Sequence, residues 1–472
     1  MNALTQKAIE GWARLGPRFL PFADAATPDL PLSRLLRLSL FQVSVGMALV
    51  LLIGTLNRVM IVELGVSAGL VGTMISLPLI FAPFRALIGF RSDTHTSALG
   101  WRRVPYLWKG TMLQFGGLAI MPFALLVLSG SGHAANAPVW IGHAGAGLSF
   151  LLVGAGLHMV QTVGLALATD LAPAESQPKV VGLMYVMLLV GMIVSALVFG
   201  AALSDFSAGR LIQVIQASAV ATVLLNVIAM WKQETRRRGA AAAAPVAPPR
   251  FRETWDRFIQ GDHAVRRLTA VGFGTMGFGM ADVLLEPYGG QVLELGVGDT
   301  TKLTAVLAVG GLGGFGYASR VLGRGADPLR LAAVGALIGI PAFAAVILAA
   351  PFHSVPLFVI GTLLVGFGAG LFGHGTLTAT MRMAPDAQAG LALGAWGAVQ
   401  ASAAGVGIAF GGILRDVVAA FSLEVGSFGA ATSFVVVYAL EMVLLAAALV
   451  TLMPLIGSRQ APASVIGQLR PS

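Results

Sequence analysis

The feature that most constrains this chain is a succession of twelve long apolar stretches, at 35–58, 66–90, 105–129, 138–168, 180–204, 211–231, 268–290, 302–322, 329–350, 355–378, 389–414 and 429–455, joined mostly by short connections. Crossing the hydrocarbon of a bilayer takes roughly 20 apolar residues in a helix, because no water is available there to satisfy peptide groups. The repetition therefore predicts an all-α membrane protein of twelve transmembrane helices. A charged fraction of 11% beside 56% hydrophobic residues, with a mean hydropathy of +0.83, excludes an ordinary soluble domain of this length.

Basic residues translocate poorly and so mark the cytoplasmic loops. Placing the N-terminus in the cytoplasm puts most of the 30 lysines and arginines in cytoplasmic segments or at their edges, which predicts that both termini are cytoplasmic. The formal charge of +9 is spread over these loops, so it is topological and not a nucleic-acid patch. With no cysteine, disulfides and thiolate metal sites are excluded. Residues 1–34 lack the apolar core of a signal peptide. Ile9, Trp12, Leu15 and Phe19 fall at helical spacing among Lys7, Arg14 and Arg18, as in an amphipathic helix on an anionic leaflet, with a basic tail as the alternative. The expected order is this cytoplasmic segment (1–34), a six-helix bundle (35–231), a cytoplasmic linker rich in arginine, alanine and proline (232–267), a second six-helix bundle (268–455) and a cytoplasmic tail (456–472).

A faint internal repeat supports the two halves. Glu63-Leu64-Gly65-Val66 follows the first span and Glu294-Leu295-Gly296-Val297 follows the seventh; Ala172-Pro173 and Ala384-Pro385 follow the fourth and tenth. Between spans 2 and 3, Gly89 and Asp93 are followed by Gly100, Arg102 and Arg103. This is the layout of the loop between helices 2 and 3 of major facilitator transporters, where glycine permits a tight turn and an acid at a helix end pairs with nearby bases. The usual motif has its second glycine three residues after the acid, whereas Gly100 lies seven after Asp93. In span 8, Gly311, Gly313 and Gly316 satisfy a nucleotide-type glycine pattern but stand inside an apolar helix, so they are expected to pack helices.

Polar groups within spans are the candidate functional residues. Arg85 in span 2 is expected to reach the cytoplasm or to form a gate-stabilising ion pair. Asp282 and Glu286 are four residues apart and share a helix face, as a proton- or cation-coupling pair would; the alternative is that Glu286-Pro287 marks the outer helix end and only Asp282 is buried. Asn57, Arg58 and Glu63 read first as an interfacial anchor at the end of span 1. His143 and His158 lie within about 60° of one another on span 4, Gln161 follows, and His374 sits in span 10; each is either bonded to a neighbouring helix or an axial base for the magnesium of a chlorin. No H-E-x-x-H, P-loop or nucleophile elbow is present, so no catalytic activity is expected and no metal site is indicated.

LPFADAATPDLPLSRLLRLSLFQVSVGMALVLL, GTLNRVMIVELGV, APFRALIGFRSDTHTSALGWRRVPYLWKG and QFGGLAIMPFALLVLSG, with ATDLAP and GHGTLTATM further on, resemble the PucC/LhaA family, the bacteriochlorophyll-delivery branch of the major facilitators. The longer insert after Asp93 belongs to that pattern. The resemblance implies a photosynthetic membrane of a purple bacterium and a role in assembling light-harvesting antenna, either the peripheral complex (LH2) served by PucC-like members or the core complex (LH1) served by LhaA-like ones, with the balance towards PucC. It implies bacteriochlorophyll, and carotenoid, as transiently held pigments. The implied partners are antenna α and β polypeptides, bacteriochlorophyll synthase, the reaction centre–core antenna complex, the membrane insertion machinery and the lipid bilayer. A proton-coupled small-molecule transporter and a pigment-free assembly chaperone are the rival readings.

Overall fold

The computed structural model describes residues 22–80, 88, 91–92, 97, 100–130, 136–234, 263–383, 389–421, 429 and 431–457. Arg85, Gly89, Asp93, Ala384-Pro385, residues 1–21, most of the linker and the end of the tail lie outside the described residues. Among the described residues eleven helices are long and apolar enough to cross a membrane: α1 (Leu32–Glu63), α3 (Val104–Leu128), α4 (Val139–Leu171), α5 (Gln177–Ala202), α6 (Ala208–Met230), α7 (Ala264–Gln291), α8 (Val297–Gly323), α9 (Pro328–Ala349), α10 (Val355–Met383), α11 (Ala389–Ala420) and α12 (Thr432–Gly457). The second apolar stretch contributes a shorter helix, α2 (Ala68–Ile80), up to the limit of its described residues.

Packing is densest inside each set of six helices. In the first set α3 lies on α4 and α6, and α1 on α5 and α6; in the second, α10 lies on α8 and α9, and α7 on α11 and α12. Among the described residues the sets meet most closely along two seams, α2 against α11 and α5 against α8, with a lighter contact of α1 on α7 and α8. Small residues allow these approaches, since apolar side chains gain nothing from leaving lipid for one another and close van der Waals contact must hold the helices together. A methyl group added at Gly310 or Gly314 would overlap the carbonyls of Leu363 or Phe367, so these two glycines pack α8 on α10; of the three named from sequence, a Cβ would fit at Gly311 and Gly313 and would meet nothing within 4 Å at Gly316. At the α5–α8 seam, a Cβ at Gly200 would stand 2.8 Å from the carbonyl oxygen of Gly298.

Several helices outrun the limits of their apolar stretches. α1 continues past 58 to Glu63 through two π-helical stretches, Val50–Leu56 and Val59–Glu63, and α4, at 33 residues, is roughly 50 Å long at about 1.5 Å per residue, well beyond the hydrocarbon thickness. α7 is interrupted at Met280, where the regular bonding gives way to a tighter Val283 N to Met280 O bond of 3.3 Å.

Candidate functional site

The two halves are joined by a buried polar cluster where α1 faces α7 and α8. Its origin is Pro287. Proline has no N–H to return to Val283, so that carbonyl is orphaned within the helix. Asn57 donates its side-chain amide to it at 2.9 Å, from the other half of the molecule. A neighbouring side chain can in this way satisfy a proline-freed carbonyl in an apolar setting. The helix therefore runs on to Gln291 and buries Glu286, which is only 5% exposed. This removes the alternative that Glu286-Pro287 marks the helix end: both carboxylates of the pair are inside the bundle, and Asp282 is the less enclosed.

Glu286 accepts a hydrogen bond from the hydroxyl of Thr304 on α8. It occupies a notch left by Gly54, where a Cβ would stand 2.6 Å from its Oε1. Thr55, the next residue on α1, meets Thr301 of α8 at 3.3 Å. The π-helical turns of α1 span this level, and such turns are frequent where a helix serves a site. Arg58 is not an interfacial anchor. It is 4% exposed, pairs with Glu63 and donates to the carbonyl of Leu295 at 3.1 Å. Those two partners belong to the first and second copies of the repeated Glu-Leu-Gly-Val motif, so one guanidinium ties both copies together.

Asp282 lines a cavity of about 370 Å³ walled by α5, α7, α8, α10 and α11, with Phe278, Phe315 and Phe372, the glycine faces of Gly311 and Gly370, and Gln400 around it. Against the same turn of α7 packs Glu441 of α12, fully buried, beside Asp282 and the backbone of Ala281. Glu441 is not among the residues singled out from sequence, although a lone acid in the middle of a span as apolar as YALEMVLLAAALV carries the same signal as Asp282.

The end of the bundle at the α2–α3 connection is closed by a second group of charges. Gly100, at φ +80°, turns the chain into α3. Arg102 pairs with Asp170 at the end of α4, Arg103 reaches the same carboxylate at 3.0 Å, and Arg103 also donates to Ser92 at 2.8 Å. Glu234, just after α6, accepts from the backbone amides of Arg102, Arg103 and Val104 at 2.8, 3.0 and 3.0 Å, placing a carboxylate on the positive end of α3. Gly100, Arg102 and Arg103 of the motif stand at this turn with Asp170 and Glu234 as their acidic partners, while Gly89 and Asp93 of the motif lie outside the described residues. Asp170 and Glu234, their partners, carry no signal in sequence beyond the ATDLAP segment.

The candidate pigment ligands are not gathered into one place. His143, His158 and Gln161 are half-buried on α4, and His143 and Gln161 share one helix face. His374 is half-buried on α10, a helix that does not pack on α4. Its Nδ1 accepts or donates no hydrogen bond among the described residues, and its ring stands edge-on to Phe315 at 4.4 Å. Phe315 separates His374 from the cavity that it lines and also touches Phe22 of the segment before α1, at 5.8 Å. Among the described residues no cluster of three or more metal-ligating side chains is found.

Against known proteins, residues 55–460 match the family model described as PUCC protein. The chain is 67% identical over 420 residues to Protein PucC of Rhodovulum sulfidophilum, covering 89% of this chain and 92% of that one. It is 59% identical over 452 residues to Protein PucC of Cereibacter sphaeroides, covering 96% and 98%. Among solved structures, a D-xylose–proton symporter superposes with a TM-score of 0.66 at 15% identity, covering 88% of this chain and 96% of that one, which shows the major facilitator fold.

Proposed function

The chain belongs to the PucC family, and on that premise we propose that it is an assembly factor for light-harvesting antenna complexes, holding bacteriochlorophyll while antenna α and β polypeptides are put together in the photosynthetic membrane. Family membership is the observation that carries this reading. The positive-inside pattern adds the orientation, with both termini and the α2–α3 end cytoplasmic, and the two helix sets serve as one bundle each, 35–231 and 268–455.

The geometry supports a lateral handover of pigment. Bacteriochlorophyll, a macrocycle with a long isoprenoid tail, exceeds a cavity of about 370 Å³ that carries the Asp282 carboxylate. An apolar recess of about 550 Å³ opens instead between α1, α5 and α6, lined by Val43, Met47, Val214 and the exposed Val194 and Val198. At His374, which is half-buried, Nδ1 is enclosed without a hydrogen-bond partner among the described residues, so a chlorin magnesium would be met by the other ring nitrogen, Nε2. On α4, His143 and, about 22 Å further along, His158 with Gln161 give separate positions. Pigment held at such faces passes to an antenna helix without crossing an aqueous path.

The test is the near-infrared spectrum of protein purified in mild detergent from pigmented cells, with bacteriochlorophyll and copurifying polypeptides counted per chain. Bound pigment near one per chain, reduced several-fold by His374→Leu or by leucine at His143, His158 and His374 together, is the expected result. A colourless protein that still brings down antenna polypeptides would replace pigment holding with a purely chaperoning role.

A further inference from the structure

Three carboxylates, Asp282, Glu286 and Glu441, are enclosed in the second half of the bundle with too little positive charge around them. The groups facing them can be named element by element. On α1 these are Asn57 and Arg58, and Arg58 is committed to Glu63 and to the Leu295 carbonyl. On α8, Thr304 donates to Glu286. On α7, Tyr288 sends its hydroxyl away, to the carbonyl of Val346 at 3.0 Å. On α11, Arg415 stands over Phe434 of α12 and is bonded to Asp416 at 3.0 Å and to Gln291 at 2.5 Å. On α12, Tyr438 lies one turn from Glu441 and against Tyr288, with ring centroids 5.6 Å apart.

Within this neighbourhood the unmet groups are mainly oxygens; the unmet nitrogens, Nε of Arg58 and Nε of Arg415, belong to guanidinium groups already paired with Glu63 and Asp416. Oε2 of Glu286, Oδ1 of Asn57 and the Tyr438 hydroxyl are buried and make no hydrogen bond among the described residues, and the Glu441 carboxylate has no side-chain donor there, only the backbone of Ala281 beside it. Glu441, Tyr438 and Asn57 are each 0% exposed. The Tyr438 hydroxyl is an independent sign, since it is a neutral group placed beside Glu441 with its bonding capacity unused. A buried charge without a partner is costly by several kcal/mol. A set of hard oxygen ligands missing their counter-charge is what a small cation satisfies. The interruption of α7 at Met280 lies at the same level, turning the backbone of Ala281 towards Glu441, and broken helices are a recurring setting for coupling-ion sites in membrane transporters.

We propose that Glu441, Asp282 and the Tyr438 hydroxyl form a binding site for one small monovalent cation, a proton or Na⁺, between α7 and α12. Asp282 is its door, because it alone of the three carboxylates lines the cavity. Glu441 is the inner ligand, and the occupied site neutralises the α7–α12 interface. Glu286, which accepts a hydrogen bond from Thr304, lies near Arg58 and does not line the cavity, is outside the site. Cation binding here does not depend on whether the chain also holds pigment.

The experiment uses the full chain in mild detergent, following thermal unfolding by intrinsic tryptophan fluorescence. NaCl is exchanged for N-methylglucamine chloride at constant ionic strength, and pH is varied separately. A binding cation stabilises the folded state by mass action. A midpoint that rises by several degrees with Na⁺ and no longer does so in Glu441→Gln identifies a sodium site. A midpoint that ignores Na⁺ but shifts with pH, the shift being lost in Glu441→Gln, identifies a proton site. Should Glu441→Gln fail to fold, Asp282→Asn, at the roomier cavity face, is read for the same loss. Wild type and variants that respond alike to Na⁺ and to pH would overturn the proposal.

Discussion

Asn57 shows how one side chain can decide the shape of a helix in the other half of the molecule. Its amide satisfies the Val283 carbonyl that Pro287 leaves without a donor, and leaving such a group unmet costs about 1–3 kcal/mol. Asn57→Leu is therefore expected to lower the unfolding midpoint, and Pro287→Ala added to it should recover most of the loss by restoring the intrahelical N–H. A double variant as unstable as Asn57→Leu alone would refute this account, and thermal unfolding of the four proteins of the cycle decides it. The same residues mark how far sequence carries. Asp282 and Glu286 are legible because an acid in an apolar run is rare and conspicuous. Arg58 is legible as a charge but not as a buried one, since a position near a span end fits snorkelling as well as pairing, and the partner that settles the matter, Leu295, is 237 residues away. Glu441 is open to the same reasoning as Asp282, and only its packing against α7 draws attention to it.

At the scale of elements, hydropathy locates spans well and describes their ends poorly. The stretch expected at 389–414 runs as α11 from Ala389 to Ala420, and that at 138–168 as α4 from Val139 to Leu171. Helix continuation past the apolar window depends on what caps or covers the last turns, which the window does not contain. The short segment before α1 is a case of covering that no periodicity reveals. Phe22 sits in the notch at Gly182 of α5, where a Cβ would fall 2.8 Å from its ring, and its other side meets Phe315 of α8. Asp24 pairs with Lys179 at 2.7 Å, and Ala25 and Leu30 are buried beneath. The segment thus bridges both halves over the end of the cavity that Phe315 lines. Because the chain has no cysteine, one introduced as Gln400→Cys at the cavity wall reports access to it directly. Adding Phe22→Ala is expected to speed its reaction with a soluble thiol reagent several-fold, and an unchanged rate would mean that Phe22 does not cover the cavity.

For the whole molecule, the fold and the family are legible together, through the spacing of spans, the loop motif and the stretches shared with PucC-like proteins; the working of the fold is not. A major facilitator bundle invites the idea of two halves rocking about a central site, and the seams here, α2 on α11 and α5 on α8, are where such motion would be felt. The lateral handover proposed above needs no rocking, because it assigns pigment to helix faces outside the cavity. The two ideas part at one seam. Leu189 of α5 and Gly311 of α8 both line the cavity, and a Cβ at Gly311 would meet only Leu189 and the Gly366 carbonyl, each at 3.8 Å, so a side chain fits there. With Leu189→Cys and Gly311→Cys joined by a short thiol-specific cross-linker, the halves are fixed at this seam. Handover at the lipid face predicts that cells or membranes carrying the cross-linked protein still accumulate antenna complexes at close to the uncross-linked level, read from their near-infrared absorption. Loss of antenna on cross-linking, reversed when the linker is cleaved, would show that the halves must move, and would shift the site of handover from the membrane face to the interior.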